Sequence, residues 1–179
     1  EYTEDAVLCE LRFIKEDGVE LPSRIYLFQG LPKADKMELI IQKAVELGVY
    51  QVIPVAMKRC VVKLDDKKAS SKLTRWQGIA EAAAKQSKRG IIPQITKVMT
   101  FAQALEYSST AQVRLVPYEL AEGMDRTREI IEQIQPGQDI AVFIGPEGGF
   151  DEAEIGKVYE AGTQPITLGK RILRTETAG

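Results

Sequence analysis

The most constraining feature of this 179-residue chain is an alternation of strand-like and helix-like patterns that begins after Gly30. Short apolar runs, such as IAVFI at 140–144, alternate with longer segments in which apolar side chains recur at helical spacing. Elements that alternate in this way form a mainly parallel sheet covered by helices. The pattern therefore predicts an α/β fold, in which ligands bind at the carboxyl ends of the strands.

The individual elements follow from the same periodicities. Strands are predicted over residues 6–14, 24–29, 49–55, 113–118, 139–145 and 164–168. Helices are predicted over residues 37–47, 69–87, 101–107, 125–134 and 151–161. Asp35 and Asp151 are each followed three residues later by Glu, which is the spacing of a capping box. Three loops at strand ends are expected to share one neighbourhood: 116–119, 145–149 and 168–176.

The composition limits the chemistry. The chain contains no histidine, which excludes a Ser-His-Asp triad and an HExxH zinc site. Cys9 and Cys60 form no CxxC pair, so we predict no metal site and a reducing, cytoplasmic environment. With 44% hydrophobic and 28% charged residues and no long apolar window, a soluble globule without a membrane segment is predicted.

Charge is distributed unevenly along the chain. The net charge is −2, but residues 58–97 contain 11 basic and 3 acidic side chains. Such an asymmetry is typical of a protein with one face for a polyanion such as RNA. A solvated, lysine-rich helix face explains the same run about equally well.

A glycine-rich stretch, FIGPEGGF at 143–150, follows one of the predicted strands. It matches neither GxGxxG nor GxxxxGK[ST], so a mononucleotide phosphate site is not supported. Glycines at a strand-to-helix turn allow a ligand to approach the backbone closely, although a purely structural turn needs them too. Glu147 is unusual in this stretch, because packing of the turn alone gives little reason for a carboxylate at that position.

A second unusual stretch, LGKRILRTETA at 168–178, follows the last predicted strand. It surrounds the apolar pair Ile172 and Leu173 with Lys170, Arg171 and Arg174. The start of an amphipathic helix explains this pattern. A loop that encloses an aromatic ring, with Arg174 facing a charged group, explains it as well.

Taken together, these stretches resemble the paired signature of the RsmE family, which belongs to the SPOUT superfamily of methyltransferases. The segments KMELIIQKAVELGVYQVIPV, KRCVVK and RWQGIAEAAAKQSKRGIIPQI agree in order and spacing, so the resemblance covers roughly residues 20–179. It implies transfer of a methyl group from S-adenosylmethionine to N3 of a uridine in 16S ribosomal RNA of the small subunit. The implied fold is an α/β knot, which topology rules alone would not propose.

The same resemblance implies a domain organisation and partners. Residues 1–22 would be the tail of an N-terminal PUA-like β-barrel, and residues 23–179 the SPOUT methyltransferase domain with its C-terminal helix truncated at Gly179. The protein would be a homodimer that binds 16S ribosomal RNA or the small ribosomal subunit. Two alternatives remain, a SPOUT methyltransferase with another RNA target and a non-catalytic RNA-binding module.

Site residues are carried over by position. The implied cofactor-binding residues are Pro117, Gly145, Pro146, Glu147, Gly148, Leu168, Gly169, Ile172 and Leu173. The residues predicted to bind RNA, from the basic region over 58–97, are Arg59, Gln86, Lys88 and Arg89. Arg174, Arg89 or Arg59 is predicted to stabilise the negative charge that develops on uracil, since arginine remains protonated, and Arg174 is taken as the catalytic residue. Glu147 is predicted either to accept the N3 proton or to hold its loop in shape, and hydroxide is an alternative acceptor.

Overall fold

The computed structural model describes residues 5–7, 9–10, 18–118 and 123–179 of the chain. Within these ranges the strands form one seven-stranded sheet in which every pairing is parallel. The strands are β1 (Arg24–Gly30), β2 (Gln51–Ala56), β3 (Gln94–Ile95), β4 (Met99–Thr100), β5 (Val113–Pro117), β6 (Asp139–Ile144) and β7 (Gln164–Ile166). The helices are α1 (Lys36–Glu46), α2 (Asp66–Gln86), α3 (Phe101–Ser108), α4 (Met124–Glu132), α5 (Glu152–Glu160) and α6 (Thr175–Ala178).

The predicted mainly parallel α/β fold is therefore confirmed. The strand order is β3-β2-β1-β6-β5-β7, with β4 also paired to β2. Strands β3 and β4 were not predicted, because two residues each are too few to show a period. The predicted strand over 6–14 lies largely outside the described residues, as does Glu119 of the loop over 116–119.

The middle of the sheet is formed by β1 and β6, which are buried on both faces. Phe28 and Phe143 pair in register across these strands, and their rings stack with centroids 4.5 Å apart. Both side chains are fully buried. Strands covered on both faces have continuous apolar runs rather than alternation, which explains why YLF and AVFI could be recognised in the sequence.

The two predicted capping boxes have different outcomes. Asp151 forms the expected box with Glu154 at the start of α5. Asp35 makes no side-chain cap bond, since its backbone has φ −96° and ψ 13° instead of the extended conformation of an N-cap residue. Glu38, the expected partner of Asp35, instead accepts a hydrogen bond of 2.8 Å from Arg75 on α2.

The parallel arrangement brings four strand ends to one edge of the sheet. Strands β1, β6, β5 and β7 are consecutive neighbours, and their carboxyl ends are Gly30, Ile144, Pro117 and Ile166. The loops that follow them therefore lie side by side at this edge. None of the helices in the described ranges has the length and apolar character needed to cross a bilayer.

Candidate active site

A cleft of about 650 Å³ lies at this edge of the sheet. Its walls are the loops that follow β5, β6 and β7, so the predicted neighbourhood of three loops is confirmed. Its size is within the range of sites that take up small molecules and cofactors, roughly 300–1,000 Å³. No group of three His, Cys, Asp or Glu side chains within the described ranges is arranged to hold a metal ion.

Nearly all the residues predicted to bind the cofactor line this cleft. They are Pro117, Gly145, Pro146, Glu147, Leu168, Gly169, Ile172 and Leu173. Gly148 is not part of the lining and packs against Arg59, whose Nη1 donates a hydrogen bond of 3.1 Å to the Gly148 carbonyl. Which of these residues contact a ligand remains a prediction.

Gly30 at the end of β1 allows the loop after β6 to lie directly on the sheet. A Cβ atom at Gly30 would be 2.7 Å from both Cδ and N of Pro146 and 3.0 Å from the sulfur of Met57. Real Cβ atoms essentially never show contacts shorter than 3.0 Å. Pro146 can therefore take this position only because residue 30 is a glycine. Gly30 cannot be recognised as a site residue from the sequence, because its neighbour Pro146 is distant along the chain.

Glu147 is held by hydrogen-bond donors around its carboxylate. Its Oε1 accepts a hydrogen bond from the Lys33 backbone N–H at 3.0 Å and forms an ion pair with Lys36 Nζ at 3.1 Å. Burial alone would raise the pKa of Glu147, but these donors and its own backbone N–H outweigh it and hold the pKa below the usual value. A carboxylate with a lowered pKa is a weaker proton acceptor, so this arrangement favours the loop-holding role for Glu147.

The C-terminal segment is fixed to the same strands by Thr175. Its hydroxyl donates a hydrogen bond of 2.7 Å to the Gly145 carbonyl and accepts one of 2.9 Å from Gln29 Nε2. Gln29 Nε2 also donates to the Gly30 carbonyl at 3.0 Å. The side chains of Gln29 and Thr175 are buried, so this neutral network connects the ends of β1 and β6 to the start of α6.

Cations and apolar side chains surround the mouth of the cleft. Arg174 lines it and is exposed, as are Arg59, Lys170 and Arg171. In the described part of the chain these four cations have no ion pair within 4.0 Å. Ile172 is 87% exposed at the same mouth. The arrangement combines positive charge with an apolar surface, which suits an anionic ligand that carries a ring.

The predicted RNA-binding residues do not lie together. Arg59 lies at the cleft, whereas Gln86 and Lys88 are exposed at the other end of α2. A helix of 21 residues is about 30 Å long, which separates the two groups. The structure thus does not bring the four predicted residues onto one surface.

The side chain of Arg89 is buried. Its side chain is only 4% exposed, its guanidinium forms an ion pair with Glu20, and Nη1 donates to the carbonyls of Val45 and Val49 at 3.1 and 2.7 Å. A guanidinium enclosed in this way has no nitrogen available for a phosphate. This placement argues against the predicted RNA contact and gives Arg89 a structural role.

The lysine-rich run over 58–97 is also less positive in three dimensions than in sequence. Among the described residues, five of its 11 cations form ion pairs: Lys58 with Asp151, Lys68 with Asp65, Lys72 with Asp35 and Glu38, Arg75 with Glu38, and Arg89 with Glu20. Most of these partners lie outside the run, so periodicity and local charge could not reveal them. The exposed cations at the cleft mouth are therefore the better candidates for an RNA surface.

Comparison with known proteins agrees with this geometry. A family model for an RNA methyltransferase domain matches residues 19–179. Ribosomal RNA small subunit methyltransferase E of Bacillus subtilis is 40% identical, with 95% of this chain and 72% of that protein covered. The protein of the same name from Mesomycoplasma hyopneumoniae is 38% identical, with 89% and 67% covered.

A solved structure agrees as well. Ribosomal RNA small subunit methyltransferase E from Neisseria gonorrhoeae, bound to S-adenosyl methionine, superposes with a TM-score of 0.80 and 37% identity. The match covers 92% of this chain and 66% of that one. Across these three relatives the chain spans between 66% and 72% of their length. Sequence, fold and cleft lead to the same conclusion: the chain belongs to the ribosomal RNA small subunit methyltransferase E family.

Proposed function

We propose that the protein transfers a methyl group from S-adenosylmethionine to N3 of a uridine in 16S ribosomal RNA, in the cytoplasm. The observation that carries this proposal is the cleft between the loop over 145–150 and the segment over 167–175. A relative with 37% identity and the same fold is bound to S-adenosyl methionine. The curated relatives are named as methyltransferases of small-subunit ribosomal RNA.

The residues around the cleft fit this cofactor. An adenosine group needs backbone hydrogen-bonding partners and an apolar slot. The backbone of the loop over 145–149 offers the first, with its approach set by the contact between Gly30 and Pro146. Leu168, Ile172 and Leu173 offer the second.

Residues of this chain would act on the uridine mainly by position and charge. Bound S-adenosylmethionine supplies a methyl group that is already activated for transfer. Uridine N3 must lose its proton, and negative charge then spreads onto the uracil oxygens. Arg174, exposed at the cleft mouth and always protonated, would stabilise that charge. Glu147 would hold the loop, which leaves solvent hydroxide as the favoured proton acceptor.

The finer architecture belongs to the same proposal. We infer that residues 23–179 contain the SPOUT-type knot, because the segment after the edge strand β7 returns to the centre of the sheet. There the Thr175 hydroxyl bonds with the side chain of Gln29 on β1 and with the carbonyl of Gly145 after β6. Residues 1–22 would be the tail of a PUA-like barrel. A homodimer is proposed on the family resemblance, and the exposed Leu39 offers apolar surface for it.

The function is tested by mapping methylation on small ribosomal subunits from cells that lack the enzyme. Incubation with the protein and S-adenosylmethionine should introduce one methyl group at a uridine of 16S ribosomal RNA. A methyl group on N3 blocks base pairing, so reverse transcription should stop at that position. Methylation of transfer RNA instead, or binding of S-adenosylmethionine without any methylation of ribosomal RNA, would contradict the proposal.

We expect the RNA to contact the cleft mouth and not the far end of α2. Replacing Arg171 with Gln should weaken RNA binding and reduce the slope of log affinity against log salt by about one, because one phosphate contact is lost. Lys88→Gln removes the same charge from the other end of α2 and serves as the matched control. A salt slope that changes in Lys88→Gln and not in Arg171→Gln would move the RNA surface to that end.

A further inference from the structure

Lys36 lies between two carboxylates that belong to opposite walls of the cleft. Its Nζ is 3.1 Å from Glu147 Oε1 and 3.1 Å from Glu176 Oε2. Glu147 is in the loop that follows β6, and Glu176 is in α6, directly after the segment that forms the other wall. One ammonium group therefore connects the two walls through a pair of ion contacts.

This cluster is better shielded than an ordinary surface ion pair. The side chains of Lys36, Glu147 and Glu176 are 28%, 25% and 16% exposed. Lys43 and Glu46, on the same helix α1, also form an ion pair, but Lys43 is 54% exposed. Exposed pairs contribute little, whereas charges that are partly withdrawn from water interact more strongly.

The charges of the cluster are unequal, which makes Lys36 the critical member. Two carboxylates meet one ammonium group, so without Lys36 the two anions would face each other without a cation between them. Like charges at short range repel, and here the repulsion would push α6 away from the loop after β6. The pKa of Lys36 is raised by hydrogen bonds to Glu147 and Glu176, so its ammonium remains charged across the physiological range.

We propose that Lys36 is a positioning residue that holds the two walls of the cofactor cleft together and so retains the bound cofactor. This inference rests on the proposed binding of S-adenosylmethionine. Lys36 adds an ionic connection between the walls to the neutral hydrogen-bond network of Thr175. Removing the charge of Lys36 should affect the ionic connection and leave the neutral network in place. Lys36 acts through Glu147 and Glu176, not on the reacting atoms.

The test measures S-adenosylmethionine affinity by calorimetry and its dissociation rate by stopped flow. Lys36→Met should weaken affinity about tenfold, within the usual range of coupling between sites, and should speed dissociation. Lys43→Met, which removes a lysine of the same helix, should bind S-adenosylmethionine with the same affinity as the protein without substitutions. Lys36→Arg retains the charge and should keep most of the affinity.

A rescue experiment separates this role from a general loss of stability. In a chain that already carries Lys36→Met, the further change Glu176→Gln removes the repulsion between the carboxylates and should restore part of the affinity. Glu176→Gln alone keeps the contact of Lys36 with Glu147 but releases α6, and should speed dissociation several-fold. Thermal unfolding without ligand shows whether each variant is folded.

Three results would overturn the inference. They are unchanged affinity in folded Lys36→Met, no recovery in the double variant, and unchanged dissociation in Glu176→Gln. Failure of the unchanged protein to bind S-adenosylmethionine would instead contradict the proposed function. The two failures are therefore distinguishable.

Discussion

Replacing Gly30 with Ala should lower kcat/KM for RNA methylation by about 100-fold, since a displacement near 1 Å in a positioned site can have that effect. The added Cβ would be 2.7 Å from Pro146 and would push the loop after β6 off the end of β1. Overpacking of this kind also lowers the free energy of unfolding by about 1–3 kcal/mol. Calorimetry with S-adenosylmethionine should show the loss of binding directly.

Gly78→Ala is the matched control for this prediction. Gly78 lies within α2, and a Cβ atom there would have no neighbour within 4 Å. Alanine in an open helical position should raise the free energy of unfolding by about 1 kcal/mol and leave methylation unchanged. Unchanged activity in folded Gly30→Ala would contradict the prediction that this close contact positions the cleft for the reaction.

Replacing Arg89 with Met should lower the free energy of unfolding by about 2–3 kcal/mol. Loss of one partner from a buried pair costs about 3–5 kcal/mol, and the value expected here is smaller because Glu20 is 26% exposed. The carbonyls of Val45 and Val49 would also lose a donor. Chemical denaturation measures the change, with Lys88→Met, an exposed neighbouring cation, as the control.

The effect of Arg89 should depend on pH. The hydrogen bond from Arg89 lowers the pKa of Glu20, with burial acting in the opposite direction. The pair therefore contributes its full stability above the usual pKa of a glutamate, and this contribution is lost as the pH falls through the lowered value. The stability difference between the unchanged protein and Arg89→Met should shrink in acid. A difference that is constant with pH would contradict the role of the ion pair.

Local patterns were sufficient for most of the fold. The buried strands β1 and β6 could be recognised because parallel strands carry unbroken apolar runs, and α5 because Asp151 and Glu154 form their capping box. The same spacing at Asp35 was misleading, since Arg75 competes for Glu38 and the backbone of Asp35 is not extended. A short motif predicts a contact only when no distant partner is stronger.

In the candidate site too, some residues could be recognised from the sequence and others could not. The glycine-rich loop and the segment after β7 could be found because their residues are unusual where they stand. Lys36, Gln29 and Thr175 could not, because each acts through partners that are far away in sequence. The buried ion pair of Arg89 could not be found for the same reason, as Glu20 precedes it by 69 residues. Charge along a chain does not reveal which cations are already paired.

The hydroxyl of Thr175, shared between Gln29 and Gly145, has a consequence for synthesis of the protein. These partners precede it by 146 and 30 residues, so the contact closes only after residue 175 has been translated. Chains fold from the amino terminus as they emerge, so β1 and β6 can pair before the last wall of the cleft exists. The capacity to hold a cofactor therefore arises only after the segment around Thr175 has left the ribosome.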